Sequence, residues 1–76
     1  MFNLSDIQLF IRVSETGGIS MAARSLALTP ATASAALKRL ERQLGSQLFE
    51  RSTRSLRLTQ AGENFLGYCV GEVVRF

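Results

Sequence analysis

The 76-residue chain has no histidine, no tryptophan, one cysteine and one lysine. The absence of histidine removes the commonest general base and the commonest metal ligand. The lone Cys69 excludes an intrachain disulfide and any metal site that needs several cysteines. Only Lys38 and six acidic residues remain for acid–base chemistry. We therefore predict a protein that is not an enzyme and that binds no cofactor or metal.

Long hydrophobic runs are also missing. The longest uncharged apolar stretch covers residues 64–71, which is far below the ~20 residues of a membrane-spanning helix. The N-terminus lacks the basic segment and the cleavage site of a signal peptide. These absences predict a cytoplasmic protein that does not contact a membrane.

Basic charge is present, and it is concentrated. The whole chain has a formal net charge of +3, whereas residues 38–57 hold six cations against two acids, a net charge of +4. A concentrated basic surface is typical of a nucleic-acid partner, although a charge run alone can be an ordinary solvated face. The cations of this basic block are Lys38, Arg39, Arg42, Arg51, Arg54 and Arg57.

Helical periodicity predicts two helices in the first part of the chain. Ser5 is the expected N-cap of the first helix, which the pair Gly17 and Gly18 is expected to end. Ser20 is the expected N-cap of a short second helix, whose body covers residues 21–26.

The third helix has the clearest boundaries. Thr29 supplies a capping hydroxyl, Pro30 fits the first helical turn, and Gly45 is expected to end the helix. The opposite faces of this helix differ, because one is apolar and the other carries small side chains first and cations later. The inward stripe consists of Ala33, Leu37, Leu40 and Leu44.

After the third helix the hydrophobic period changes. Residues 47–50 and 55–59 are expected to form a two-stranded hairpin with a basic tip, and Thr59 is expected to cap the last helix. The predicted fold class is mainly α, a winged helix-turn-helix with a three-helix core, a two-stranded β wing and a long C-terminal helix.

This arrangement predicts contacts with duplex DNA. Small side chains at Ala31, Ser34 and Ala35 would let the third helix approach the floor of the major groove, where alanine methyl groups can pack on thymine methyl groups. Cations further along the helix, such as Lys38, would meet backbone phosphates. Arg54 at the tip of the hairpin would reach a minor groove.

Five segments of the chain resemble the N-terminal domain of the LysR-type transcriptional regulators. They are AARSL at 22–26, LTPATAS at 28–34, LKRLERQLG at 37–45, LFER at 48–51 and LTQAG at 58–62. The resemblance implies a bacterial regulator that binds double-stranded DNA as a dimer or tetramer. It implies that residues 1–58 are the winged helix-turn-helix DNA-binding domain and that residues 59–76 are the start of a C-terminal linker helix for dimerisation, which pairs antiparallel with its counterpart in the homodimer. It also implies that a small-molecule effector binds a further C-terminal domain, which this chain lacks.

Three sets of candidate site residues follow. The resemblance implies groove contacts by Thr29, Pro30, Ala31 and Ser34, phosphate contacts by Lys38 and Arg51, and a wing contact by Arg54. The residue pattern adds Ala35 to the recognition helix, and it adds Ser20, Arg39 and Thr53 to the phosphate and wing set. The dimer interface is predicted at Phe65, Leu66, Cys69, Val70 and Val73. Many relatives have Arg and Gln where this chain has Ala35 and Ala36, so direct base readout is expected to be weaker here.

Several alternatives remain open at the level of sequence. Ser34 can be a solvated serine, and Arg51 can pair with Glu41 or Glu50 inside the fold. Cys69 is typical of a small core residue, and the apolar residues of the last helix can also pack within the chain. The whole chain can be a winged-helix module that binds another protein and not DNA. Such a module would more often present aromatic residues on its binding face, whereas positions 31, 34, 35 and 38 of the third helix hold none.

Overall fold

The computed structural model describes residues 3–51 and 56–74. In this part of the chain there are four helices and one two-stranded antiparallel sheet, so the predicted mainly α winged helix-turn-helix is confirmed. The elements in chain order are α1 (Leu4–Thr16), α2 (Ile19–Ser25), α3 (Pro30–Leu44), β1 (Phe49–Arg51), β2 (Leu56–Leu58) and α4 (Gln60–Val74).

Two helix starts differ from the sequence predictions. α1 is capped by Asn3, whose Oδ1 atom accepts a hydrogen bond from the Ser5 amide at 2.8 Å. Ser5 therefore lies inside the first turn, because asparagine caps as well as serine does and stands earlier in the chain. α2 begins at Ile19, directly after Gly18, and no side chain caps it, so the predicted Ser20 cap is wrong. The half-buried Ile19 packs against the core, and this contact draws the helix start forward.

The boundaries of α3 match the prediction. The Thr29 hydroxyl accepts a hydrogen bond from the Thr32 amide at 3.1 Å, and Pro30 is the first helical residue. Gly45 ends the helix with φ 72°, a left-handed conformation that glycine adopts without strain. The buried residues on the inner side are Ala33, Ala36, Leu37 and Leu40.

Phe10 of α1 stands at the centre of the core. Its ring centroid lies 5.4 Å from that of Phe49 in β1 and 5.4 Å from that of Phe65 in α4. α2 reaches the core through Ala22 and Ala23, which are both fully buried. Because these side chains are small, α2 packs closely against α1 and α3.

Thr59 joins the hairpin to α4. Its amide donates to the Leu48 carbonyl at 3.0 Å, and its hydroxyl donates to the Gln47 carbonyl at 2.6 Å. The same hydroxyl accepts from the Gly62 amide at 2.9 Å. This last bond confirms Thr59 as the cap of α4.

The two strands cover three residues each, fewer than the predicted ranges 47–50 and 55–59. The register pairs Phe49 with Leu58 and Arg51 with Leu56. Residues 52–55, which include the predicted basic tip, lie outside the described residues. Across residues 3–51 and 56–74, no helix has the length and apolar character that crossing a bilayer requires.

Candidate nucleic-acid interface

A tight turn joins α2 to α3 and sets the angle between them. The Leu28 amide donates to the Ala23 carbonyl at 2.8 Å. Between the two helices Ala27 adopts φ 59°, a left-handed conformation that residues other than glycine rarely occupy. The turn leaves Thr29 and Pro30 exposed at the start of α3, so the helix presents its first residues outward.

The outer face of α3, which we define as Ala31, Ser34, Ala35 and Lys38, is small and accessible. Ala31, Ala35 and Lys38 are exposed, and Ser34 is half-buried. Their spacing places them on one side of the helix. Because the first three have short side chains, the backbone of α3 can approach a ligand as closely as a major groove requires. The Thr29 hydroxyl also donates to the Thr32 hydroxyl at 2.8 Å, so Thr29 serves the cap of α3.

The structure corrects one position that sequence reasoning linked to base readout. Ala36 is only 6% exposed and belongs to the core, whereas the adjacent Ala35 is exposed. The side chain of Ala36 points into the core and that of Ala35 points to solvent, so these two alanines do not share one face. The expectation of weaker direct base readout therefore rests on position 35 alone.

Cations follow on the second half of α3. An open groove of about 690 Å³ runs beside it, and among its lining residues are Lys38, Arg42, Ser46 and Gln47. The Leu48 amide donates to the Glu41 carboxylate at 2.8 Å, which holds the segment before β1 against α3. The groove is shallow and is also lined by Glu41, so only its cations, Lys38 and Arg42, are groups that suit a phosphate.

Arg39 differs from these cations because it has a partner inside the fold. Its Nε and Nη2 atoms donate to Oδ2 and Oδ1 of Asp6 at 2.9 and 2.8 Å. The side chain of Asp6 is 3% exposed, whereas that of Arg39 is 49% exposed. The hydrogen bonds and the negative charge of Asp6 raise the pKa of Arg39. Sequence reasoning missed this pair because 33 positions separate the two residues, and the phosphate contact assigned to Arg39 stays a prediction.

The other predicted phosphate and wing residues are only partly covered by the structure. Ser20 is exposed on α2. The side chain of Arg51 lies outside the described part, and Thr53 and Arg54 lie outside the described residues. The intrachain pairing and the phosphate contact of Arg51 therefore stay predictions, as do the wing contacts.

The family model described as "Bacterial regulatory helix-turn-helix protein, lysR family" matches residues 4–63. This chain belongs to the LysR family. The probable HTH-type transcriptional regulator LtrA of Klebsiella pneumoniae is 43% identical over 60 residues, which cover 79% of this chain and 19% of LtrA. The HTH-type transcriptional activator AllS of Salmonella typhi is 47% identical over 66 residues, which cover 87% of this chain and 21% of AllS. The chain thus spans about a fifth of the length of these curated relatives.

Solved structures share the fold of this LysR-family chain. The BenM DBD in complex with benA site 1 DNA has a TM-score of 0.89 and 29% identity, over 95% of this chain and 81% of that one. The CbnR DBD in complex with DNA has a TM-score of 0.89 and 32% identity, over 95% of this chain and 83% of that one. The chain is therefore the helix-turn-helix DNA-binding domain of a LysR-type transcription regulator.

In this LysR-family domain, α4 divides its apolar residues between core and surface. Phe65 is 8% exposed and Cys69 is 2% exposed, and both pack in the core of the protomer. The protomer itself therefore covers most of both side chains, and the dimer contact assigned to them stays a prediction. Leu66 is half-buried and Val70 is 43% exposed, so both retain surface for a partner. The side chain of Val73 lies outside the described part.

Burial also determines the chemistry of Cys69 in this LysR-family domain. Its removal from water raises the pKa of the thiol. Because the reactive form of cysteine is the thiolate, a raised pKa lowers the reactivity of the thiol at neutral pH. The structure therefore favours Cys69 as a small core residue.

Proposed function

We propose that this chain acts in the bacterial cytoplasm, where it binds double-stranded DNA at preferred sequences as a homodimer and thereby controls transcription. The outer face of α3 carries the proposal. Ala31 and Ala35 are short and exposed, and Lys38 follows them on the same side. A helix with this profile fits the major groove and meets phosphates where it leaves the groove. The BenM and CbnR domains of the same fold were solved with DNA, which supports the same class of ligand here.

Charge favours a nucleic acid over a protein as the partner of this face. Lys38 and Arg42 line the groove beside α3, and Arg57 is exposed on β2. Protein interfaces are enriched in aromatic anchors. Tyr68 is an exposed aromatic residue, but it lies on α4 and not on the outer face of α3.

Sequence preference would come from close contact. A methyl group at Ala31 or Ala35 can pack on the thymine methyl group, and the Ser34 hydroxyl can bond a base edge or a phosphate. None of the three can form the bidentate bonds that arginine or glutamine makes with a base. The shape and flexibility of the duplex would therefore supply a larger share of the preference.

The homodimer is proposed from the surface of α4. Leu66 and Val70 are the described residues of the predicted interface that keep exposed area. Covering them with a second copy removes apolar surface from water, which stabilises the dimer by about 25 cal/mol per Å² before the cost of association. A two-fold axis would also present two α3 helices to a palindromic site.

Selection of bound duplexes from a random pool, followed by anisotropy titrations at several salt concentrations, tests the DNA proposal. The affinity is expected to fall steeply with salt because bound counterions are released. Lys38→Ala should weaken the selected and the random duplex about equally and lower the salt slope by about one. Arg12→Ala, which removes a cation outside the basic block, is the control. A chain that binds no duplex at low salt contradicts the proposal.

A second pair of variants tests the assignment of the groove-facing side. Ser34→Leu places bulk on the outer face of α3, so it should weaken the selected duplex more than the random one. Gln43→Leu places the same side chain at an exposed position of α3 that is not on this face. This variant should bind both duplexes with the affinity of the wild type. An equal loss for both duplexes in Ser34→Leu would show that the outer face does not read sequence.

Sedimentation equilibrium tests the homodimer. We expect dissociation in the micromolar range, with Val70→Asp giving monomers because a carboxylate would be buried without a partner. Asn64→Asp adds the same charge at an exposed position of α4 and serves as the control. A wild-type chain that stays monomeric at millimolar concentration contradicts the dimer.

A further inference from the structure

We propose that Asp6 is a positioning residue for DNA binding. It holds the guanidinium of Arg39 beside the outer face of α3, so that the N–H groups not bonded to Asp6 bind a backbone phosphate of the duplex. This inference rests on the proposed DNA binding of the chain. The proposal gives the ion pair of Asp6 and Arg39 a role in DNA binding, in addition to joining α1 to α3.

The geometry of the pair fixes the guanidinium in place. Two bonds, from Nε to Oδ2 at 2.9 Å and from Nη2 to Oδ1 at 2.8 Å, attach Arg39 to Asp6. A fork of this kind sets the plane of the guanidinium as well as its position. Asp6 is a firm anchor because its side chain is 3% exposed and belongs to the first turn of α1.

The paired arginine remains accessible to a ligand. Its side chain is 49% exposed, and the bonds to Asp6 occupy only the Nε and Nη2 side of a group with five N–H donors. The part of the guanidinium that Asp6 does not cover therefore faces solvent and can donate to a phosphate oxygen.

The position of Arg39 on α3 points to the same ligand. Arg39 stands four residues after Ala35, and residues i and i+4 of a helix project to the same side. It also directly follows Lys38. The cations of this half of α3 are the groups that would meet phosphates as the helix leaves the groove. An arginine that is already ordered loses less rotamer freedom when it binds.

Positioning and simple charge predict opposite effects for the loss of Asp6. By charge alone, removing a carboxylate beside a DNA-binding face strengthens binding to the polyanion. By positioning, the same change releases Arg39 and weakens binding. Asp6→Asn separates the two, because the amide keeps the size of the side chain but offers one acceptor oxygen where the carboxylate offers two.

Anisotropy titrations of the selected duplex over a salt series test the proposal. Asp6→Asn should weaken binding and lower the slope of log K against log salt by about one, the loss of one phosphate contact. Glu15→Gln is the control: it too removes one negative charge from α1, but an exposed one, and it should bind as tightly as the wild type or more tightly. The slope is the decisive measurement, and circular dichroism at each salt concentration checks that every variant stays folded, because salt also changes the stability of a charged domain.

The double variant Asp6→Asn/Arg39→Ala completes the test and avoids leaving a buried carboxylate unpaired. Its slope should equal that of Asp6→Asn, because Asp6 acts through Arg39. A slope for Asp6→Asn that equals or exceeds the wild-type slope would overturn the proposal, and so would a double variant with the wild-type slope. Failure of the wild-type chain to bind any duplex is a different result, because it contradicts the proposed function itself.

Discussion

Two glycines of α4 provide a matched test of how closely this helix approaches the hairpin. At Gly62, an added Cβ would overlap the Leu48 carbonyl oxygen and lie 2.9 Å from Cδ2 of Leu58. At Gly67, an added Cβ would meet nothing within 4 Å. The same Gly→Ala change is therefore expected to have opposite effects on stability at the two positions.

The size of each effect follows from helix propensity and from packing. Alanine is better than glycine inside a helix by about 1 kcal/mol, and Gly67→Ala should gain that amount. At Gly62 the gain is at most the same, while overpacking costs about 1–3 kcal/mol. The upper end applies because the obstacle is backbone, and the Leu48 carbonyl is held by the Thr59 amide at 3.0 Å. Gly62→Ala should therefore lose about 2 kcal/mol.

Thermal and urea unfolding followed by far-ultraviolet circular dichroism measure both variants. A change of 1 kcal/mol shifts Tm by about 4–8 °C in a domain of this size. Gly67→Ala should raise Tm by roughly that amount, and Gly62→Ala should lower it by about twice as much. If Gly62→Ala were as stabilising as Gly67→Ala, α4 would not lie against the segment before β1, and the described packing would be wrong.

Three further predictions concern stability. Ala27→Gly should stabilise the fold by about 0.5–1 kcal/mol, because relief of the left-handed conformation outweighs the flexibility of glycine; Ala27→Val, measured in the same urea titration, should destabilise it. Thr29→Ala should cost about 1 kcal/mol through loss of the α3 cap, whereas Thr29→Ser should retain most of it. Because burial raises the pKa of Cys69, the folded chain keeps this proton to higher pH than the unfolded chain. Stability should therefore be unaffected by this group below the ordinary thiol pKa and should fall as the pH rises above it, and Cys69→Ala should lack that fall.

Helix boundaries were predictable where one residue type had a single structural use. Thr29 followed by Pro30 predicted the start of α3, and Gly45 predicted its end, because proline and left-handed glycine have few alternatives at these places. Side chains with a capping hydroxyl or amide group predict the start of a helix less well, because several of them can stand near one helix start. Asn3 and Ser5 are equally good caps by chemistry, and the structure uses the first of them.

Contacts between distant parts of the chain were not predictable from the local pattern. The charge of residues 38–57 counted Arg39 as a free cation, yet Asp6 of α1 takes two of its N–H groups. Periodicity likewise identified the apolar side of α4 but not its division into residues that the chain covers, such as Phe65, and residues that it leaves exposed, such as Val70. Both facts depend on how α1 packs against the later helices, which only the assembled fold contains.

The junction at Thr59 restricts how the length of this chain can vary. Thr59 alone separates the last residue of β2 from the first residue of α4, and its backbone and side chain reach Gln47, Leu48 and Gly62 at once. A residue inserted before Thr59 would disturb its bonds to Gln47 and Leu48, and one inserted after it would disturb its bond to Gly62. Either insertion would rotate α4 relative to the hairpin. The space around Gly17 and Gly18, between α1 and α2, is open by contrast. An insertion should therefore disturb the packing less between the first two helices than at Thr59, so a chimaeric regulator is better joined beyond α4 than at the end of its hairpin.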